Sequence, residues 1–302
     1  MAARSMTHDS CHNSASRAAT LIGFGAILLW SALALLTASA GKIPPFELAA
    51  MTFAIGGAFG LVYAAARGRL SALRQPWRVW LVGVGGLFGY HALYFAALSR
   101  APPAEASLIA YLWPLLIVLF SALPPGERLR ARHVLGAALG FAGAVSLFAG
   151  KAEAGAGAHA LDGEIALGYA LALGCAFVWS SYSVLSRRLK AAPTEAVAGF
   201  CLATSALAAI CCFAFETTIA PAAFTQWAAI VGLGLGPVGL AFYLWDYGVK
   251  NGDLRLLGVA AYAAPALSTI ILVAAGFAPA TASLGLACAL IVGGAVVATR
   301  GS

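Results

Sequence analysis

The chain of 302 residues is 62% hydrophobic and only 10% charged, against roughly 45–50% apolar and about 25% charged residues in soluble domains, which excludes a soluble globular fold. Its net charge of +7 would suit an anionic partner such as nucleic acid, but the basic residues are strung out between apolar segments rather than gathered into one patch, so nucleic-acid binding is excluded as well. A membrane helix needs about 20 mainly apolar residues, and stretches free of Asp, Glu, Lys and Arg fill the chain.

Residues 1–17 are polar and read as a disordered tail. Residues 18–41 form the first span and carry Trp30 and Ser31. Its end, Ala38-Ser39-Ala40, resembles a signal-peptidase site, yet the apolar stretch exceeds the roughly 7–15 residues of a signal core. Residues 48–66 form the second span. The third, 79–99, contains Tyr90, His91 and Tyr94 near its middle, with the two tyrosines on one helix face. The fourth, 106–126, contains Tyr111, Trp113 and Pro114, and 134–150 is the fifth.

Residues 165–186 hold Trp179, Ser180 and Tyr182, and spans 196–215 and 217–245 follow. The latter stops just before Asp246, whose spacing from Lys250 suits an ion pair at the membrane interface. The run 256–299 is too long for one helix. It breaks at Phe277-Ala278-Pro279-Ala280, because proline lacks an amide donor and disfavours helix in the residue before it. Its first half holds Tyr262, Pro265 and Ser268. The expectation is an all-α membrane protein of ten transmembrane helices.

Placing the N-terminus in the cytoplasm puts 15 of the 18 basic residues on that side, with only Lys42, Arg100 and Lys151 opposite. Both termini are therefore expected in the cytoplasm. Five cysteines, at 175, 201, 211, 212 and 288, fall inside spans, Cys11 lies in the tail, and no paired metal-ligand spacing occurs. Neither a disulfide framework, a metal site nor a cofactor is indicated.

The chain repeats itself at an offset of about 150 residues. Leu28–Leu33 (LLWSAL) faces Phe177–Tyr182 (FVWSSY), Pro45–Glu47 (PFE) faces Pro193–Glu195 (PTE), and Val82–Gly85 (VGVG) faces Val231–Gly234 (VGLG). Further on, AYLWP at Ala110–Pro114 faces AYAAP at Ala261–Pro265, and Gly143–Val145 faces Gly294–Val296, both pairs reading GAV. Five matches in one order imply two copies, 18–150 and 164–300. The first span is then a copy of the sixth and part of the fold. Five spans per copy is an odd number, so the second copy enters the membrane inverted, the plan of secondary transporters with a central site near the midplane.

Two five-helix repeats, each with Trp-Ser in its first helix and a small-residue-x-x-Pro element in its fourth, resemble the EamA-type branch of the drug/metabolite transporter superfamily. Pro124–Leu129 (PPGERL) is similar to that family's Gly-Glu turn, whereas the second copy has no Gly-Glu in its AGFAPA segment. Within the family the aromatic content is most similar to the YddG-type aromatic amino-acid exporters. That resemblance implies export of aromatic and other neutral amino acids across a bacterial inner membrane. Another small metabolite or a cationic drug is the alternative.

Intramembrane ionisable residues usually face the bundle interior or a water-filled cavity. His91 is the only histidine inside a span, and with Tyr90 and Tyr94 it is the leading candidate to meet substrate. Trp30, Tyr111, Trp113, Trp179, Tyr182 and Tyr262 lie well inside their spans, too deep for the headgroup-level aromatic belt to which Trp77, Trp80 and Trp227 are assigned. The expected site is an aromatic cavity in which His91, Ser180 and Ser268 hold the amino or carboxylate group. Pro114 and Pro265 are candidate hinges, and Asp246 is the candidate for ion coupling. Glu47, Glu105 and Glu195 begin helices, where they favour the dipole. The spacings Gly56/Gly60, Gly85/Gly89, Gly136/Gly140 and Gly232/Gly236 predict close helix packing. The expected partners are a small-molecule substrate and the lipid bilayer, with no nucleic acid. The protein is expected to be a monomer and no enzyme.

Overall fold

A computed structural model describes residues 2–122, 130–152, 163–276 and 280–299, and every element among them is helical. The first half contains α1 (Ala2–Ser31), α2 (Leu33–Ala40), α3 (Pro45–Ala66), α4 (Trp77–Leu98), α5 (Pro103–Ala110), α6 (Trp113–Phe120) and α7 (Ala131–Ala152). The second contains α8 (Gly163–Arg188), α9 (Val197–Phe215), α10 (Phe224–Leu235), α11 (Ala241–Asn251), α12 (Leu254–Ala260), α13 (Ala263–Ala274) and α14 (Ala282–Thr299). Seven helical stretches among the described residues are long and apolar enough to cross a membrane, and Glu105–Phe120 and Ala282–Ala298 are shorter apolar helices.

Local sequence explains the boundaries. Proline opens α3 and α5 at Pro45 and Pro103, where its missing donor costs nothing. Asp253 caps α12, its Oδ1 accepting the amides of Arg255 and Leu256 at 3.0 Å each. Gly41, with φ of +84°, closes α2 in a conformation that only glycine adopts freely. The amides of Phe46 and Glu47 at the start of α3 donate to the Glu216 carboxylate at 2.9 and 3.0 Å. An acid from the end of α9 thus holds the first turn of α3.

One expectation changes at the N-terminus. The polar segment read as a disordered tail continues α1, which begins at Ala2; its alanines favour helix, and polarity alone does not oppose it. The PPGERL turn at 124–129 and residues 277–279 of the break expected at 277–280 lie outside the described residues.

The helices pair across the two halves: α1 against α11, α4 against α8, α3 against α9, and α7 against α14. Small residues make several of these contacts possible. A Cβ at Gly136 would lie 2.6 Å from the carbonyl oxygen of Gly294, and one at Gly294 only 2.5 Å from that of Gly136. Gly56 faces the Gly239 Cα, and Gly60 faces the Tyr243 ring. The other two expected glycine pairs are not packing faces. A Cβ at Gly85 would meet nothing within 4 Å, and at Gly89, Gly232 or Gly236 it would find only ordinary contact. In those segments Gly83, Gly86 and Gly234 meet the neighbouring helices, against Phe200, Tyr182 and Ile55 respectively.

Both Tyr-x-x-Pro elements coincide with interruptions. The helix axis breaks at Tyr111 and Leu112 before α6, and at Ala261 and Tyr262 before α13. The amides of Leu112 and Tyr262 bond three residues back, to Ile109 and Val259, so each break is a tightened turn. A third interruption is the wide π turn Gly236–Leu240 between α10 and α11.

Candidate functional site

Four tryptophans meet where the halves face each other: Trp30 on α1, Trp113 on α6, Trp179 on α8 and Trp245 on α11. All six pairs have ring centroids between 5.1 and 6.4 Å apart. Most of these contacts are edge-to-face or tilted, the arrangements that the ring quadrupole favours. Phe242 joins the cluster 5.7 Å from Trp179 and stacks on Phe53 at 5.5 Å.

A line of rings leads away from this cage along α4. Tyr90 lies 5.4 Å from Trp179 and stacks on Tyr94 at 6.0 Å. His91 sits 5.0 Å from Phe53 and 6.0 Å from Phe95, which in turn meets Phe46 at 5.3 Å. Trp113, Trp179 and Trp245 are buried, whereas Trp30, Tyr90, His91, Tyr94, Phe95 and Phe46 are half-buried. The cage is thus a packed base from which partly open rings extend.

The polar handles are few. The Trp30 indole donates to the Pro237 carbonyl at 3.1 Å, and that of Trp245 donates to Ser183 Oγ at 3.1 Å. Tyr94 Oη and Ser107 Oγ are 2.8 Å apart. His91 Nδ1 lies 2.7 Å from the Leu87 carbonyl oxygen. A carbonyl only accepts, so Nδ1 is assigned the proton and Nε2 remains the acceptor of the neutral ring. Among the described residues no three His, Cys, Asp or Glu side chains converge as a metal site requires.

The structure sorts the residues expected from sequence. It brings Trp30, Tyr90, His91, Tyr94, Trp113 and Trp179 together, with Tyr182 behind Trp179 at 5.2 Å. Tyr111 stands at the first helix break, with Tyr90 and Tyr94 as electrostatic neighbours. Ser180 does not present its hydroxyl to a cavity: it is fully buried, and its Oγ lies 2.9 Å from the Trp113 carbonyl oxygen and 2.6 Å from that of Ala176. Tyr262 is not a cage ring. It belongs to a second core with Val118, Ala287 and Ile291, and its hydroxyl accepts the Leu115 amide at 3.1 Å. Ser268 lies half-buried on α13, three residues after Pro265. Pro114 and Pro265 are both buried in the first turns after the two breaks.

Asp246 and Lys250 form the ion pair that their spacing suggests, and the protein buries it. The Asp246 carboxylate and the Lys250 ammonium are 2.8 Å apart, with side chains only 2% and 6% exposed. Thr194 Oγ1 donates to the same carboxylate at 2.7 Å, and Lys250 Nζ donates to the Ala192 carbonyl at 2.9 Å. Trp80, assigned to the headgroup belt, packs on Phe200 at 5.4 Å. Trp77 and Trp227 are exposed. Trp245, Phe242, Phe53, Phe95 and Phe46 are site rings that sequence reasoning missed. For Trp245 the available signal was its i,i+3 spacing from Phe242.

Comparison with known proteins gives the same architecture a lineage. A relative from Ancylobacter novellus, named aromatic amino acid exporter YddG, is 61% identical over 282 residues, covering 93% of this chain and 96% of its own. Proteins of that name from Salmonella typhimurium and Escherichia coli are 27% and 25% identical, over 85% and 92% of this chain and 88% and 96% of their own lengths. One solved crystal structure superposes with a TM-score of 0.88 at 61% identity, covering 94% of this chain and 96% of that one. The model of the EamA-like transporter family matches twice, over residues 17–149 and 166–300, one match per copy. A multi-pass helical chain built from two such units, the protein belongs to the EamA-like transporter family.

Proposed function

We propose that the protein exports aromatic and other large neutral amino acids from the cytoplasm across a bacterial inner membrane, by alternating access around a central aromatic cavity. The observation that carries this reading is the continuous array of rings drawn from both copies, buried at Trp113, Trp179 and Trp245 and partly open at Tyr90, His91 and Tyr94. Such a surface suits an amphipathic aromatic solute, because rings bind rings over a large area and a few polar atoms fix orientation. The name carried by the A. novellus relative points the same way.

The proposed frame is ten membrane spans in two inverted repeats, with both termini in the cytoplasm. Two features support it. The family matches begin 149 residues apart. The helix pairs are also consistent with exchanging the copies, which turns α1 on α11 into α8 on α4 and returns α3 on α9 and α7 on α14 to themselves. The helix breaks before Pro114 and Pro265 are proposed as the hinges on which the halves rock. Asp246, held by Lys250 and Thr194, is set aside as a coupling acid, so transport is proposed to run as facilitated export or exchange. Because that acid already has its cation, a cationic drug finds less to attract it there than a neutral amino acid finds in the rings.

The test uses purified protein in liposomes, with labelled tryptophan, phenylalanine, leucine and lysine and with or without a pH gradient. Selective movement of aromatic and large neutral amino acids, indifferent to the gradient, is the expected result. His91→Ala should weaken apparent affinity about tenfold, the scale of one lost hydrogen bond in a desolvated site. Unchanged kinetics in the folded variant would remove His91 from the site, and movement of lysine alone would overturn the substrate class.

A further inference from the structure

A separate cavity of about 460 Å³ lies at the end of the bundle where α6 and α8 finish and α12 begins, the cytoplasmic end in the proposed topology. Ser16 of α1, Ser121, Arg187, Arg188, Asp253 and Arg255 line it, so three arginines and one aspartate border a single small space. The volume falls within the roughly 300–1,000 Å³ of small-molecule sites. Val184 also lines the cavity and belongs to the same buried core as Trp113 and Trp179. On α8, Arg187 follows Trp179 by eight residues, and Ser121 follows Trp113 by eight on the chain of α6. At about 1.5 Å per residue the cavity therefore sits roughly 12 Å beyond the cage along both helices.

Its walls are held in place. Arg187 Nη1 donates to the Gly252 carbonyl at 3.2 Å, and Arg255 Nε donates to Ser121 Oγ at 3.0 Å. The Asp253 amide donates to Thr20 Oγ1 at 2.8 Å, tying the turn to α1. Asp253 Oδ1 already caps α12, which fixes the direction of its carboxylate. Among the described residues Arg69, Arg100 and Lys250 form salt bridges with acids, whereas Arg187 and Arg188 do not.

A guanidinium presents a fork of donors that matches a carboxylate in two parallel bonds, and a carboxylate beside it can accept from an ammonium. That charge pattern complements the zwitterionic head shared by every free α-amino acid. We propose that this cavity is the cytoplasmic loading site of the exporter, where Arg187 and Arg188 take the substrate carboxylate and Asp253 its ammonium before the side chain enters the cage. The proposal rests on the export reading above and adds to it: the cage selects the side chain, and the cavity selects the head group.

The test is uptake of labelled phenylalanine into inside-out membrane vesicles, which present the cytoplasmic face to added substrate. Arg188→Gln should raise the KM about tenfold with Vmax held, Arg188→Lys should recover most of the affinity, and Asp253→Asn, which keeps a capping side chain, should raise the KM similarly. An unchanged KM in all three variants overturns the proposal, as does a fall in Vmax alone, which marks a structural role. The same kinetics are then run in proteoliposomes free of anionic lipid. Persistence of the KM effect supports the substrate as occupant; its disappearance assigns the arginines to a lipid headgroup and overturns the proposal. Wild-type vesicles that move no amino acid would instead overturn the export reading itself.

Discussion

Tyr262 shows how a residue read as a ligand can serve the frame instead. Its hydroxyl accepts the amide of Leu115, one residue after Pro114, so the tyrosine of one copy holds the proposed hinge segment of the other. Tyr262→Phe should cost about 1 kcal/mol by removing the partner of that partly buried amide. It would be read as a lower melting temperature in detergent, with the KM for substrate unchanged. The tryptophans in mid-span were legible in the sequence because depth alone removes the belt explanation. Trp245 was hidden by Asp246, since a charge there looks like the end of a span. Lys250 and Thr194 satisfy that carboxylate, so α11 runs on to Asn251 with Trp245 and Asp246 both on its buried face, and Trp245 joins the cage. Ser180 was misread for the opposite reason: its place beside Trp179 is visible in the sequence, but its bonds to two carbonyls are not.

At the scale of the helices, the repeated Tyr-x-x-Pro elements, read as candidate hinges, coincide with the two breaks, because proline's missing amide acts locally. The glycine faces were only half legible. Small-xxx-small spacing says that a stripe exists and leaves open whether a helix lies against it. The contrast is testable: Gly294→Leu should disrupt the α7–α14 contact, where even a Cβ would come 2.5 Å from the Gly136 carbonyl oxygen, and lower the yield of folded protein severely. Gly89→Ala should be tolerated, since its added carbon meets only Val178 at 3.5 Å, an ordinary contact distance. Size-exclusion profiles and thermal melts of the two variants make the comparison. Equal damage from both would sink this assignment of faces.

For the whole molecule, duplication was readable because five short matches keep their order, while the pairing of helices across the copies was not. Spans that are apolar all round carry no stripe pointing to a partner, so the partner follows from shape. Orientation is a separate prediction from the asymmetry of basic residues. A cysteine placed at Arg17 or at Thr299, in a background without native cysteines, should react with an impermeant thiol reagent in inside-out vesicles and stay protected in intact cells. Labelling of either from outside the cell would refute the proposed topology.

The cage has one more consequence. It gathers four of the seven tryptophans with centroids no more than 6.4 Å apart. Indoles at that separation couple their electronic transitions, so near-ultraviolet circular dichroism and intrinsic emission draw much of their signal from one place. Under the proposed alternating access, entry of a substrate ring or separation of the two halves would change that coupling, and the protein would carry its own optical reporter of the cycle.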